Sequence, residues 1–158
     1  MKRKKITATI DGISYKIDSY EHTTEFGNRN KDTVAEFLKD SYEGNIDENY
    51  NLSNGYSYIF VTMTYTNNTD EQVEILRNAG AFYIINDDLE RLQVGDPGGI
   101  YIDNYWTEGK ENERYHYVLG AGESVTSEVG YIIQDEWMSE DSKYIYYCIE
   151  GRSEEHTS

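Results

Sequence analysis

Residues 55–68 constrain the fold more than any other part of the chain, because they form its longest run of β-branched and aromatic side chains. Side chains of a strand alternate between two faces. One face carries four largely apolar side chains: Ile59, Val61, Met63 and Tyr65. The other face grades from aromatic to hydroxyl, through Tyr58, Phe60, Thr62, Thr64 and Thr66. We therefore predict a central antiparallel strand whose first face lies in the core and which ends at the turn Asn67-Asn68-Thr69-Asp70.

Strand signals recur on both sides of this run. Residues 6–10 and 13–20 alternate around Asp11-Gly12, which indicates a hairpin or, alternatively, one strand with a bulge at Gly12. Later strands are predicted at residues 72–77, 81–85, 90–94, 115–119, 124–134 and 143–149, while residues 100–106 are a short strand or irregular. In residues 124–134, Ser127 interrupts an otherwise apolar face. About eight short strands with turns between them favour an antiparallel sandwich or barrel.

Residues 31–42 form the convincing helical segment. Apolar side chains recur there at helical spacing, namely Val34, Phe37, Leu38 and, one turn on, Tyr42. Asp32 or Thr33 can cap the N-terminus, with Glu36 in the capping-box position for Thr33. Gly44 would end the helix. A helix this short is marginal alone, so we expect its apolar stripe to dock on the sheet.

The totals fit a single domain. Of the 158 residues, 6–150 are predicted to form the domain, 1–5 a basic leader remnant or tag, and 151–158 a flexible tail. Cys148 is the single cysteine, so no internal disulfide can form, and its strand-like surroundings predict a buried side chain. No run approaches the roughly 18 apolar residues of a membrane span. Residues 6–12 are too short and polar for the hydrophobic part of a signal peptide, so the chain is either cytoplasmic or has lost its leader.

The charge is strongly negative. Four of the 14 basic residues lie in the first five positions, so the remainder carries 10 basic and 30 acidic residues, a net charge of −20. Such a field repels phosphate backbones and anionic lipid, which argues against binding to nucleic acid or to a membrane surface. It would attract cations or a basic partner, although we interpret it chiefly as a source of solubility. Tyrosine is also unusually frequent, with 16 residues, and suits both half-buried strands and recognition surfaces.

Two motifs follow the pattern of a known family. The first, residues 58–75, is a strand that ends in an asparagine turn. In the second, residues 119–131, Leu119 precedes a Gly-Ala-Gly-Glu turn and an outer strand. With these motifs the chain resembles the immunoglobulin-like domain of unknown function found in Gram-positive (Firmicute) cell-surface lipoproteins, a fold related to a mycobacterial secreted immunoprotective antigen. The likeness spans residues 55–149, but Ala121 stands where proline is usual and no lipobox cysteine precedes the domain.

The resemblance implies a fold and an extracellular address, and it carries no catalytic residue onto this chain. Together with the strand pattern, it predicts an all-β, immunoglobulin-like antiparallel β-sandwich of about seven to nine strands, with one short helix near residues 32–42. A membrane association would require a lipid anchor or leader that this sequence does not contain.

Acidic loops are the candidates for a metal site. Asp87, Asp88 and Asp96 lie on neighbouring turns, and hard oxygen ligands grouped in loops can bind calcium. Their spacing matches no EF-hand loop, and Asp is common in turns for local reasons, so we expect no cofactor, with calcium as the alternative. The three histidines are far apart in sequence and no Cys/His ligand spacing exists, so a zinc site is not expected.

Aromatic side chains are the candidates for a ligand surface. Tyr101, Tyr105 and Trp106 are close in sequence and, stacked on one face, could hold a sugar or a peptide. The alternative is that Tyr101 and Trp106 cover the open end of the sandwich core. Trp137, in an acidic loop, is either a plug over a core edge or an exposed anchor for a partner.

No signature of an enzyme is present: the sequence has no Gly-x-Ser-x-Gly elbow, no Cys/His pair and no phosphate-binding glycine loop. We therefore predict a non-enzymatic, extracellular binding module of a bacterial surface protein or lipoprotein, whose partner is a protein or a cell-wall component. The alternative function is a carbohydrate-binding module that uses surface aromatics, and the alternative location is the cytoplasm.

Overall fold

The computed structural model describes residues 7–77, 80–85, 99–103, 115–137 and 144–149. Nine strands lie in these ranges: β1 (Thr7–Ile10), β2 (Ile13–Thr23), β3 (Tyr56–Asn67), β4 (Val73–Leu76), β5 (Gly80–Ile85), β6 (Gly99–Ile102), β7 (His116–Leu119), β8 (Ser124–Gln134) and β9 (Tyr144–Ile149). One α-helix, α1 (Leu38–Ser41), and two 3-10 helices, Lys31–Thr33 and Asp135–Trp137, accompany them. The predicted antiparallel β-sandwich with one short helix is confirmed. The strand predicted at residues 90–94 lies outside the described residues.

β3 is central, as its sequence predicts. It pairs with β2 on one side and β8 on the other, within a five-stranded sheet of order β1-β2-β3-β8-β6. β4 pairs with β7, and β5 with β9, in two further two-stranded sheets. Every pairing is antiparallel. β3 is thus hydrogen-bonded to a neighbouring strand along each of its edges. Other segments of the chain pack on its two faces.

The first hairpin closes with the tightest turn available to two antiparallel strands. Ile10 pairs directly with Ile13, and the two residues between them have positive φ angles, 51° at Asp11 and 82° at Gly12. Two positive φ angles characterise the type I′ turn, whose twist matches that of the strands it joins. The predicted hairpin at Asp11-Gly12 is therefore confirmed. The chain does not continue through Gly12 as one bulged strand.

The five-stranded sheet has a core on each of its faces. On the first face, Ile59, Val61, Met63 and Tyr65 of β3 pack with Ile75 of β4 and Leu119 of β7, so the β4–β7 pair covers this face. The second face is covered by residues 24–55, which we call the cover segment. Its side chains Phe26, Val34, Leu38 and Leu52 pack on Tyr58 and Phe60. Thr62, Thr64 and Thr66, further along the same face of β3, are only half-buried, as the grading of that face predicts.

Helix α1 is much shorter than predicted. The sequence predicts a helix over residues 31–42, whereas the chain makes one 3-10 turn, becomes extended at Val34 and then makes a single α-helical turn. Val34 forms an isolated antiparallel bridge with Tyr101, and Ala35 N donates to Ile100 O at 2.7 Å. Val34 and Ala35 thus use their backbone groups to pair with the edge of β6. Those groups are then not available for the hydrogen bonds of a continuous helix. Leu38 is buried on the sheet, as expected of the docked stripe.

The caps of these short helices also differ from the prediction. Neither Asp32 nor Thr33 caps a helix; the side chain of Asn30 instead accepts a hydrogen bond from Asp32 N at 2.9 Å. α1 begins after Phe37, which makes no side-chain cap. Within the described ranges, no helix is long and apolar enough to cross a membrane.

The two family-like motifs meet in space through one buried side chain. Asn67, at the end of β3, has no exposed surface, and its Nδ2 donates to Leu119 O at 3.0 Å and to Gly120 O at 3.2 Å. The same amide group donates to Glu71 O, and Asn67 Oδ1 accepts from the backbone N and the hydroxyl of Thr69. The asparagine turn and the glycine turn are therefore held together as one unit.

A buried arginine directly follows β4 and reaches β8, a feature that the sequence did not reveal. Arg77 is fully buried, its Nη1 donates to Ser127 Oγ at 3.0 Å, and its guanidinium lies 5.0 Å from the centre of the Tyr117 ring. Burial lowers the pKa of Arg77, and the charges of neighbours including Asp103 partly offset this. The one signal of this buried arginine in the sequence is Ser127, the polar residue that interrupts the apolar face of β8.

Candidate functional site

The sequence-predicted site residues fall into three groups. Tyr105, Trp106, Asp87, Asp88 and Asp96 lie outside the described residues. Trp137 ends the 3-10 helix that follows β8. Tyr101 lies in β6. The predictions for a ligand surface at Tyr105, Trp106 and Trp137, and for calcium at the three aspartates, therefore stay predictions. Among the residues that the structure describes, no group of three or more acidic, His or Cys side chains is arranged to hold a metal ion.

Tyr101 is buried in the core and not exposed at the surface. Its side chain is 2% exposed, and its ring centroid is 5.4 Å from that of Phe26 and 5.8 Å from that of Phe60. Burial raises the pKa of its phenol to about 12, because the charged form would lose its hydration. The alternative given by the sequence, that Tyr101 covers the core, describes its position. The reason is that β6 runs beneath the cover segment.

Phe26 fixes the cover segment to the sheet. It is fully buried, and its ring meets Tyr58, Phe60, Tyr101 and Tyr50 in tilted or edge-to-face contacts with centroid separations of 5.4–6.2 Å. Edge-to-face aromatic pairs contribute roughly 0.5–1.5 kcal/mol beyond their buried area. This single residue therefore connects the segment to two strands and to its own second loop.

Arg29 is the second attachment. Its Nε and Nη2 donate to the two carboxylate oxygens of Glu128 on β8, at 2.8 and 3.1 Å, and Nη2 also donates to Glu21 on β2 at 2.7 Å. The guanidinium lies 3.5 Å above the centre of the Phe60 ring. Partial burial alone would lower the pKa of Arg29. The hydrogen bonds to Glu128 and Glu21 raise the pKa by a larger amount, so the net shift is upward. A charge held this way spans three adjacent strands.

A tight loop over residues 46–52 forms the outer part of the cover segment. Asp47 Oδ1 accepts hydrogen bonds from Asn49 N at 2.8 Å and from Asn51 N at 2.9 Å. These backbone donors favour the carboxylate and hold the pKa of Asp47 below its usual value. Tyr50 has a positive φ of 65°, and its carbonyl accepts from the hydroxyl of Tyr58 at 2.6 Å. The loop is thus held by the carboxylate of Asp47 within it and by the hydroxyl of Tyr58 on the sheet.

An open cleft lies between this loop and the start of the cover segment. It has a volume of about 360 Å³ and is lined by Glu25, Gly27, Asn28, Lys31, Asn49 and Asn51; we call it the amide cleft. Its two walls are tied together, because Phe26 N donates to Asn51 Oδ1 at 3.0 Å and Leu52 N donates to Thr24 O at 2.9 Å. Sequence reasoning did not find the cleft, since its walls are about twenty residues apart and each reads as an ordinary polar loop.

A serine, an aspartate and a histidine also meet, at the opposite end of β8 from its glycine turn. Ser57 Oγ donates a hydrogen bond to Asp135 Oδ1, and His22 Nε2 lies 4.0 Å from the same oxygen. In a nucleophilic triad the histidine must receive the serine proton. Here the carboxylate accepts it, and Ser57 is only 3% exposed. The arrangement is suited to closing the end of the sheet and not to nucleophilic attack.

Comparison with known proteins gives the fold and no function. No protein-family model matches the chain, and no curated protein matches it. A functionally unknown protein from Listeria monocytogenes EGD-e has a similar structure, with a TM-score of 0.53 and 11% identity, over 90% of this chain and 68% of that one. An uncharacterised β-sandwich protein from Clostridium difficile 630 gives a TM-score of 0.47 and 11% identity, over 92% of this chain and 85% of that one. At this identity, the likeness to the Listeria protein shows a shared fold alone.

Proposed function

We propose that this chain is a non-enzymatic binding module of a bacterial surface protein or lipoprotein, and that it engages a wall component or a surface protein through the amide cleft. The observation that carries the proposal is the cleft itself. A rigid sheet supports two loops that are tied to each other, and these loops present polar groups to solvent. Binding sites on loops held by a rigid scaffold are a common arrangement in β-sandwich proteins.

The proposed location rests on the family resemblance. The asparagine turn and the Gly-Ala-Gly-Glu turn are the motifs that resemble the Gram-positive surface domain, and Asn67 gives them a shared structural purpose. A motif that holds the sandwich together can be retained in domains that bind different ligands. The resemblance therefore supports an extracellular address more than it supports a particular ligand.

Charge limits which wall components are compatible with the proposal. The residues from 6 onward carry a net charge of −20, and this field opposes anionic polymers that contain phosphate. Neutral glycans, peptides and basic protein surfaces are the compatible classes. The hydrogen bond from Ser57 to Asp135, which occupies the serine proton, supports a binding function over a hydrolytic one.

Two measurements test the proposal. Protease treatment of intact producing cells, followed by immunodetection, is expected to remove the protein, whereas a cytoplasmic control protein stays intact. Purified protein is then incubated with intact Gram-positive cells and with protein-free walls, and the pelleted fraction is measured. We expect pelleting with at least one of the two. Protection from protease on intact cells, or no pelleting above that of an inert β-sandwich, would contradict the proposal.

A pair of matched variants locates the site. Asn28→Trp fills the amide cleft, and Gln72→Trp places the same ring on an exposed amide position beyond the far end of β3. We expect the first variant to lose most of the pelleted fraction and the second to retain it, with equal melting temperatures. Equal behaviour of the two variants would remove the cleft from the proposed function.

A further inference from the structure

We propose that the amide cleft binds a neutral saccharide. This inference rests on the proposed function, since it names the ligand class for the same site. It differs from a carbohydrate module based on surface aromatics, because the residues that carry it are the amides Asn28 and Asn49, beside the amide of Asn51. Those amides lie in loops of the cover segment and not on the strands of the sheet.

The cleft holds polar groups that the fold does not use. Within the described part of the chain, the side chains of Asn28 and Asn49 make no hydrogen bond. Asn51 accepts from Phe26 N through Oδ1, and its side chain also hydrogen-bonds to the carboxylate of Asp47, so the fold already uses this amide. Other asparagines of this chain, such as Asn67, Asn54 and Asn68, have hydrogen-bonded side chains. The amides of Asn28 and Asn49 are therefore available to a ligand.

These groups match hydroxyls better than anions. An amide offers donors and an acceptor side by side, and a sugar hydroxyl likewise donates and accepts. A phosphate or carboxylate ligand only accepts, so it would face the amide oxygens and the carboxylate of Glu25 unfavourably. One ammonium group, that of Lys31, adds a donor to the lining and balances the charge of Glu25. The lining is thus neutral overall, within a protein whose net charge repels anions.

Lys31 lies near an aromatic ring beside the cleft. Its Nζ lies 5.8 Å from the centre of the Tyr50 ring, and Nζ of Lys39 lies 4.7 Å from the same ring. Lys39 also donates to Asp47 O at 3.1 Å, so its ammonium is committed to the loop. Lys31 lines the cleft and, among the residues that the structure describes, makes no such backbone bond. Its ammonium lies close to Tyr50 and keeps its donors for a ligand.

The site is also ordered before a ligand arrives. The carboxylate of Asp47 fixes the backbone of Asn49 and Asn51, and Phe26 N fixes the orientation of the Asn51 amide. Preorganised polar groups bind without a large ordering cost on association. A volume of about 360 Å³ lies at the lower end of the roughly 300–1,000 Å³ range of small-ligand sites.

A second polar surface of the sheet lacks these properties. Half-buried Thr64 and Thr66 on β3 and exposed Ser124 and Thr126 on β8 form a row of hydroxyls. Their oxygens are paired with one another, at 2.8 Å for Thr64 with Thr126 and 2.8 Å for Thr66 with Ser124. Because this row is satisfied within the sheet, it competes poorly for a ligand and serves as a reference surface in the test.

The test uses the full chain and saccharides of defined charge. A broad glycan array is screened first, and N,N′-diacetylchitobiose, cellobiose and maltose are then titrated while the ¹H–¹⁵N signals of side-chain amides are recorded. Glucuronic acid and glucose 6-phosphate are the anionic counterparts. We expect shifts of the Asn28, Asn49 and Asn51 side-chain signals with a neutral sugar, and weaker or no shifts with the anionic ones. Amide signals of the Thr64–Thr126 row are expected to stay unchanged.

Variants then connect binding to the cleft. Asn28→Ala combined with Asn49→Ala removes two side chains that make no hydrogen bond to any residue that the structure describes, so the melting temperature should be unchanged. We expect affinity for the best neutral saccharide to fall at least fivefold, and Gln72→Ala to leave it as it is. A double variant that binds as well as the parent protein would overturn the inference.

The remaining outcomes separate this inference from the proposed function. Pelleting with cells or walls but no binding to any glycan on the array overturns the saccharide site and leaves the binding module intact. Stronger binding of the anionic sugars than of the neutral ones also overturns the neutral-saccharide site and leaves the binding module intact. Absence of both pelleting and glycan binding overturns both proposals.

Discussion

Asn67 is the residue on which the turns of the sandwich depend. It is fully buried and donates to the carbonyls of Glu71, Leu119 and Gly120, all from a single amide nitrogen. An aspartate has the same shape but places a carboxylate oxygen against these carbonyls. We expect Asn67→Asp to lower the free energy of unfolding by roughly 3 kcal/mol or more at neutral pH, because an unpaired buried charge is costly. Urea unfolding followed by circular dichroism measures the change.

The adjacent residue provides the control for this prediction. Asn68 is exposed, and its side chain makes one hydrogen bond, to Ser14 Oγ at 2.7 Å. We expect Asn68→Asp to change the free energy of unfolding by less than about 1 kcal/mol. If Asn67→Asp unfolds at the same urea concentration as Asn68→Asp, the carbonyl contacts of Asn67 do not stabilise the turns.

Arg77 is a charge that the fold buries among apolar side chains. Replacing it with methionine keeps much of the volume but leaves the hydroxyl of Ser127, also fully buried, without its donor. We expect Arg77→Met to lower the free energy of unfolding by about 1–3 kcal/mol, because the buried Ser127 hydroxyl is left without its partner. Adding Ser127→Ala should recover about 1 kcal/mol, because no unsatisfied hydroxyl is left in the core. A double-mutant cycle in urea measures this coupling, and strictly additive losses would contradict it.

At the scale of elements, strands were far easier to predict than the helix. β8 spans Ser124–Gln134, the range that alternation predicts, and β3 differs from its predicted range by one residue at each end. Strand alternation is local and repeats along the whole element. The helix failed because Val34 pairs with Tyr101, a partner about seventy residues away, and this pairing outweighs local helical spacing. The short helical turn that survives is the part that packs Leu38.

The candidate site was not predictable for the same reason. Residues 25–31 and 49–51 each read as polar loops, and only the bond from Phe26 N to Asn51 makes them the walls of one cleft. Tyr101 shows the same difficulty: its closeness in sequence to Tyr105 and Trp106 left a ligand surface and a core cover both open, and the structure buries it beneath the cover segment. Spacing along the chain cannot show which face of an edge strand a distant segment will cover.

The cover segment is expected to loosen as a unit when Arg29 is lost. Arg29→Met keeps the aliphatic stem over Phe60 but removes the bonds to Glu128 and Glu21. We expect the amide of Ala35, which bonds the segment to β6, and the amide of Leu52, which bonds to Thr24 within the segment, to exchange hydrogen about tenfold faster, a change of about 1.4 kcal/mol in the local opening free energy. Amides shared by β3 and β8 should keep their exchange rates.

A milder variant tests whether a smaller loss of Arg29 contacts gives a smaller increase in amide exchange within the cover segment. Glu21→Gln weakens only the exposed partner of Arg29 and should change the same amides by less than Arg29→Met. Uniform acceleration across the cover segment and the β3–β8 pairs would show that the segment does not open separately from the sheet. Hydrogen exchange monitored by NMR distinguishes the two cases.

The whole molecule is expected to lose stability at alkaline pH because so many of its phenols are buried. Burial raises the pKa of Tyr58, Tyr15, Tyr42 and Tyr101, the last to about 12, whereas in the unfolded chain each returns to about 10. Above pH 10 the unfolded state therefore releases protons that the folded state retains, so the free energy of unfolding falls as pH rises from about 10 towards 12. Tyr101 alone can contribute up to about 1.4 kcal/mol per pH unit in this window. Urea midpoints at pH 9 and pH 11, with phenolate absorbance at 295 nm, measure the loss. Tyr101→Phe should make it smaller, and equal midpoints at the two pH values would contradict the burial of these phenols.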